Sequence, residues 1–330
     1  MASPPSSSLE GIAFLETALA ASAAVEAASA LGVLARLDDG PVTPAVLAAD
    51  CAMGERDAGL LLTALTGLGL VESTGDESYR ATLPDLVSLV SLLPRWQGLG
   101  EVLRRGHPVV TADTRAGAEA QYGDDAEAHY GDDIERYLDV MSAPAAELAA
   151  DHLASTGLCI LDLGAGAAPW SLAIARRDPT CRVRAVDLPA VLPATRRAVS
   201  ACGLESQFDF LAGDLFAVDW GSPVYDLAIL GNICQLFDET TNRRLLARAS
   251  EALRPGGRLA ILDVLPHEGM DGPLPVVLYA LGLLMRTPSG RVYPFSTYVS
   301  WLREAGYESI ERFDLSTASP IALIVASCSI

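Results

Sequence analysis

Midway along the chain, Leu158-Cys159-Ile160-Leu161-Asp162-Leu163 runs straight into Gly164-Ala165-Gly166-Ala167-Ala168, and a helical pattern starts at Pro169-Trp170. A strand covered on both faces has this near-continuous apolar character. A turn of small residues lets a ligand approach the backbone between strand and helix, and proline suits a first helical turn. From about residue 157 to the end, short β-rich runs alternate with helical segments. That pattern predicts a parallel α/β sheet.

The turn by itself is ambiguous, because dinucleotide-binding enzymes share it. The next strands narrow it. Cys181 to Val186 predicts a second strand tipped by Asp187, where a carboxylate accepts hydrogen bonds from ribose hydroxyls. Phe208 to Ala212 runs into the acidic turn Gly213-Asp214-Leu215-Phe216, with Asp214 placed for an adenine amino group and Phe216 for its ring. Tyr225 to Leu230 predicts a fourth strand, and Arg258 to Asp263 a fifth after Arg254-Pro255-Gly256-Gly257. Where a dinucleotide turn wants a third glycine for pyrophosphate, this chain has Ala168 followed by Pro169, which counts against an NAD(P) oxidoreductase.

The first half is rich in Ala and Leu with helical periodicity. Leu9 to Ala30 predicts an apolar opening helix, and Val25 to Leu37 reads as helix as well. Thr43 caps a helix through Ala49, Glu55 to Gly67 forms another, and Tyr79 to Leu83 is a candidate wing strand. Helix, turn, helix and hairpin describe a winged helix. Its recognition helix would carry Arg56 between Glu55 and Asp57, and the whole chain has a formal net charge of -19. Such a surface repels phosphate backbones and anionic lipid, so a transcriptional regulator is the weaker reading and no nucleic-acid or membrane partner is expected. No apolar stretch free of polar breaks reads as a membrane span. Met1 to Ser8 lacks a basic n-region. The six cysteines form no CxxC pair, which predicts a reduced, cytoplasmic protein with no metal site.

Asp162-x-Gly164-x-Gly166, Val186-Asp187-Leu188-Pro189, Gly213-Asp214-Leu215-Phe216 and Leu253-Arg254-Pro255-Gly256-Gly257 stand in the order and spacing of class I S-adenosylmethionine (SAM) dependent methyltransferases. Nearly the whole chain resembles the plant-type O-methyltransferase family and its bacterial natural-product relatives. The resemblance implies a Rossmann-like domain with a seven-stranded, mostly parallel sheet, ending in strands near Ser309 to Leu315 and Ala322 to Cys328. A mainly helical winged-helix domain that dimerises would precede it. The implied divisions are residues 1–93 for the winged helix, 94–150 for linking helices that wall the acceptor pocket, and 151–330 for the SAM domain. SAM would be held by Asp162, Gly164, Gly166, Asp187, Leu188, Asp214, Leu215, Phe216, Gly231 and Asn232. The family's apolar acceptor pocket would draw on Tyr137, Met141, Tyr279 and Met285, with Trp96 beside them.

The resemblance breaks at the catalytic position. The family usually carries a histidine base after the fourth strand, but in Gly231-Asn232-Ile233-Cys234-Gln235-Leu236-Phe237-Asp238-Glu239 that place is held by Gln235. Glutamine donates and accepts hydrogen bonds but takes no proton. The supporting acid after the fifth strand matches Asp263, while the second falls near Phe295, where no carboxylate stands. Three readings stay open. The acceptor is a phenol, enol, carboxylate or activated carbon that needs positioning by Gln235 more than a base. Alternatively the base is His107, His129, Asp263, His267 or Cys234. In the third, the fold serves non-methylating chemistry: hydroxylation, decarboxylation or a pericyclic step.

Overall fold

The computed structural model describes residues 8–87, 96, 99–106, 128–285, 287–315 and 320–328, with side chains in the helix Ala128–Leu153 from residue 141 onward. The chain divides into two compact units, residues 2–95 and 96–330.

The first unit is helical with one small hairpin. Helix Ser8–Ala30 is followed by Val33–Asp38, Pro44–Asp50 and Glu55–Gly67, and then by strands β1 (Val71–Ser73) and β2 (Tyr79–Ala81), which pair antiparallel. Val25 to Leu37 is not one helix, because Gly32 adopts a left-handed φ of 77° and separates two of them. Only a residue without a Cβ takes that conformation at little cost. Thr43 caps the third helix, accepting from the Val46 amide at 3.3 Å. Leu34, Leu47, Leu62, Leu65 and Leu86 form the fully buried centre of this unit. The opening helix contributes little to it. Leu9, Ile12, Leu15 and Leu19 are more than half exposed. By length and composition this helix is apolar enough to cross a membrane. Glu10, Glu16 and Glu26 interrupt its apolar run in the sequence, while Ala and Leu dominate the helix as a whole.

The second unit is built on a seven-stranded sheet. Its strands are β3 (Cys159–Leu163), β4 (Arg182–Asp187), β5 (Phe208–Ala212), β6 (Tyr225–Gly231), β7 (Leu253–Val264), β8 (Tyr307–Asp314) and β9 (Ile321–Cys328), in the spatial order β5-β4-β3-β6-β7-β9-β8. Only β9 runs against the rest, pairing antiparallel with both β7 and β8. Side chains alternate between two cores. Ile160, Leu227, Ile229, Ala260 and Leu262 pack under Ala145, Ala149 and Leu153 of helix Ala128–Leu153 and under helix Pro169–Ala175. Leu161, Leu163, Ala228, Leu230 and Ile261 pack under Leu245 and Leu246 of helix Glu239–Ala252 and under Tyr298 and Trp301 of helix Phe295–Glu304. The strand order reverses at β3, which has β4 on one side and β6 on the other. In open α/β sheets the ligand crevice lies outside the carboxyl ends at that reversal.

Candidate active site

The residues expected at the cofactor all lie at the carboxyl ends of β3 to β6. After β3, Gly164 and Gly166 take φ values of 70° and 54°. Gly164 is also fixed by packing, since a Cβ there would lie 2.2 Å from Ile233 Cδ1, whereas a Cβ on Gly166 would meet nothing within 4 Å. The backbone at Gly166 therefore faces open space beside the strand tip, as close approach of a ligand requires. Ala168 carries the left-handed conformation too, at a φ of 56°. That costs a residue with a Cβ about 1–2 kcal/mol.

Two carboxylates flank this turn. Asp187, at the tip of β4, accepts from the Gly166 amide at 2.8 Å and from the Leu188 amide at 2.7 Å. A carboxylate has about four lone-pair sites, so after these two bonds it retains acceptors for the hydroxyls of a ribose. Burial pushes its pKa up to about 6, against the pull of the two amides. Asp162 lies within β3 and is 1 % exposed. It accepts from Ser171 Oγ at 2.5 Å. Burial raises its pKa to about 7; the Ser171 hydrogen bond pulls it back, and the neighbouring Asp187 charge adds a smaller upward push.

Beyond β5, the Gly213 amide donates to the Asp187 carbonyl at 2.9 Å, which ties the second and third strand tips together. Gly213 has a φ of 151°, and a Cβ there would come within 2.1 Å of Val218 Cγ1. Asp214 is exposed and accepts from the Phe216 amide at 2.7 Å. The Phe216 ring meets Phe237 edge-on at 5.5 Å and carries the Arg244 guanidinium at 5.4 Å. After β6, Gly231 lies against Trp170, whose Nε1 would be 2.2 Å from a Cβ. Asn232 is left-handed at 58° and donates its amide to the Leu262 carbonyl at 2.7 Å.

The turn Cys234–Leu236 follows directly. Gln235 is 2 % exposed. Its backbone amide donates to Asp263 Oδ2 at 3.1 Å, and its Nε2 donates to the Tyr279 hydroxyl at 2.5 Å and to the Asn232 carbonyl at 3.4 Å. Its Oε1 is buried without a partner. Asp263, at the end of β7, also accepts from the Tyr298 hydroxyl at 2.8 Å and from the Val264 amide at 3.0 Å. Burial raises its pKa to about 7 in spite of these donors. Asn242 Nδ2 braces the turn from helix Glu239–Ala252 at the Cys234 carbonyl, 2.8 Å away, and Thr287 and Tyr293 hold the Leu236 and Phe237 carbonyls at 2.9 and 2.7 Å.

The expected pocket residues fare unevenly. Tyr279 touches Gln235. Met285 is half-buried just after helix Leu274–Leu283, and Trp96 packs on that helix, 3.3 Å from the point where Gly282 would carry a Cβ. Met141 is 46 % exposed. The side chains of Tyr137 and His129, and His107 altogether, lie outside the described residues. Among the remaining candidate bases, Cys234 is buried with its thiol pushed well above the usual range, and His267 sits on the surface at 3.2 Å from Asp271. The oxygens of Asp263 are both taken up by internal donors. A second acid was sought near Phe295. One turn later in that helix stands Tyr298, whose hydroxyl reaches Asp263. Tyr298, Asn242, Thr287 and Tyr293 were not anticipated. Their only sequence signal is polar or phenolic character within apolar helical or loop segments, which marks burial without naming a partner.

Residues 121–308 match the family model of the O-methyltransferase domain. The chain is 30 % identical to 3-hydroxy-5-methyl-1-naphthoate 3-O-methyltransferase of Streptomyces sahachiroi, over 90 % of this chain and 88 % of that protein. It is 26 % identical to the tetracenomycin polyketide synthesis 8-O-methyl transferase of Streptomyces glaucescens, covering 82 % of each. Human N-acetylserotonin methyltransferase, solved in complex with SAM, superposes with a TM-score of 0.71 at 25 % identity, over 100 % of both chains.

Proposed function

The chain belongs to the O-methyltransferase family and is a SAM-dependent methyltransferase, and from that premise we propose that it methylates a small, ring-bearing secondary metabolite at a phenol, enol, carboxylate or activated carbon that ionises without an enzymatic base. The observation that carries this reading is Gln235, a buried amide bonded to Tyr279 where a base would stand. The printed substrates of the two Streptomyces relatives, a hydroxynaphthoate and a polyketide intermediate, support an aromatic acceptor.

The residues at the strand tips suit SAM. Asp187 offers acceptors to ribose hydroxyls, the Asp214-Leu215-Phe216 loop receives adenine, Gly166 admits close approach to the backbone while Gly164 packs the turn against Ile233, and Asp162 with Asn232 lines the methionine end. When bound, SAM supplies an electrophilic methyl on a sulfonium. The protein's own contribution is to orient the nucleophile. Gln235 and Tyr279 present adjacent polar groups, and Asp263 and Asn242 fix the turn that carries Gln235. Positioning of this kind accounts for a large part of a methyl-transfer barrier. The first unit serves as a winged-helix dimerisation module, which gives the exposed Leu9, Ile12, Leu15 and Leu19 a partner in a second copy of the chain.

Calorimetric titration with SAM and S-adenosylhomocysteine tests the cofactor site, with micromolar binding of both expected. Phenolic, enolic and keto-acid acceptors are then screened for release of S-adenosylhomocysteine. Product formed without that release supports non-methylating chemistry in place of this reading. Size-exclusion chromatography showing a monomer at micromolar concentration counts against the dimer.

A further inference from the structure

Arg248 stands on helix Glu239–Ala252 and has no place in the family motifs quoted above. Its guanidinium carbon lies over the Trp220 ring, 4.0 Å from the centroid. From there Nη1 donates to the Leu215 carbonyl and Nη2 to the Val218 carbonyl. Trp220 is 2 % exposed. One planar fork therefore grips both ends of the tight turn that follows Asp214, in which the amides of Ala217 and Val218 return to the Asp214 carbonyl at 2.9 and 3.0 Å. A lysine cannot copy this arrangement. The guanidinium is a planar fork of donors that also stacks, whereas an ammonium is a point charge on a flexible stem. One turn earlier on the same helix, Arg244 lies over Phe216, and two residues before that Asn242 holds the acceptor-side turn.

We propose that Arg248 is a positioning residue for the adenine end of SAM, its guanidinium fixing the carbonyls of Leu215 and Val218 so that Asp214, Leu215 and Phe216 are set for the base before it arrives. The proposal rests on the assignment of that loop to adenine. Without the fork the loop samples other conformations, and ordering it again on binding lowers the affinity of every ligand that carries the adenosine group. The methionine end, built on Gly164, Gly166 and Asp162, is unaffected.

The test compares wild type, Arg248→Met and Arg248→Lys by calorimetry with SAM, S-adenosylhomocysteine and 5′-methylthioadenosine, together with amide hydrogen exchange of residues 213–220. The Met variant keeps an apolar stem to pack on Trp220. The expected result is a loss of about tenfold for all three ligands in Arg248→Met, as two hydrogen bonds from a charged donor would give, with a smaller loss in Arg248→Lys and faster exchange in the loop of the free protein. Unchanged affinities with a lowered melting temperature would make Arg248 a merely structural residue and overturn the proposal, as would a loss for SAM alone. If Arg248→Met does not fold, Arg248→Lys carries the test, and wild-type affinity in that variant overturns it. Failure of the wild-type protein to bind any of the three removes the adenine assignment itself, a result distinct from equal binding by wild type and variants.

Discussion

At one end of the crevice the working groups are backbone amides and strand-tip carboxylates: Gly164 and Gly166 by their conformation, Asp187 by its place at the end of β4. At the other end they are side chains gathered from separate segments, with Gln235, Asp263, Tyr279 and Tyr298 coming from three different elements and a turn. The first kind of site is placed by strand topology. The second is placed by packing between segments distant in the chain. A cofactor common to many enzymes and an acceptor particular to one make that division physically sensible.

The contrast breaks first at Asp187. Asp187→Ala is expected to lower SAM affinity by about 100-fold, since it removes charged acceptors from the ribose and releases the Gly166 and Leu188 amides. Calorimetry checks this, and a loss below about threefold would mean the strand tip is not the cofactor's anchor. Gln235→Leu is expected to lower acceptor turnover by about tenfold while leaving SAM affinity at its wild-type value. A drop of about 1,000-fold or more would indicate true acid–base chemistry at this position.

The acid groups sharpen the comparison through pH. Asp162 and Asp263 are raised to about 7 and Asp187 to about 6. Between pH 4 and 7 the folded protein therefore holds more protons than the unfolded chain, and its stability falls as pH rises through that window. The contribution is complete below the unfolded value near 4 and is lost above about 7. The free protein's melting temperature is expected to rise on the order of 5 °C from pH 8 to pH 5.5. SAM affinity should move the other way, weakening as Asp187 gains its proton near pH 6. Parallel trends in the two measurements would dissociate Asp187 from the cofactor. The smallest effect is expected from Tyr279→Phe, an increase of about threefold in acceptor KM with kcat nearly unchanged, because the hydrogen bond lost at Gln235 is a neutral one.

The sheet and the turns at its strand tips were legible in the sequence because they rest on local rules: apolar runs of strand length, glycines where the backbone must turn left-handed, acids at strand tips. Gly164, Asp187 and Gly213 each follow such a rule. The helix break at Gly32 was missed because continuous apolar periodicity outweighed a single glycine. Tyr298 and Asn242 were illegible for another reason. Their partners, Asp263 and the Cys234 carbonyl, are 35 and 8 residues away in the chain, and nothing in either residue's neighbours encodes that meeting. Arg248 belongs to the same class, being 33 residues from Leu215.

Asp263 grips position 235 by the peptide nitrogen and not by anything beyond the α-carbon. That anchor does not depend on the side chain, so position 235 works as a socket in which the Asn232 carbonyl and the Tyr279 hydroxyl are the partners a new side chain must meet. A lineage could exchange an imidazole for an amide there, or the reverse, in a single step and keep the Asp263 anchor of the turn. New acceptors then become reachable by changing one plug, while the scaffold that feeds it the same cofactor stays untouched.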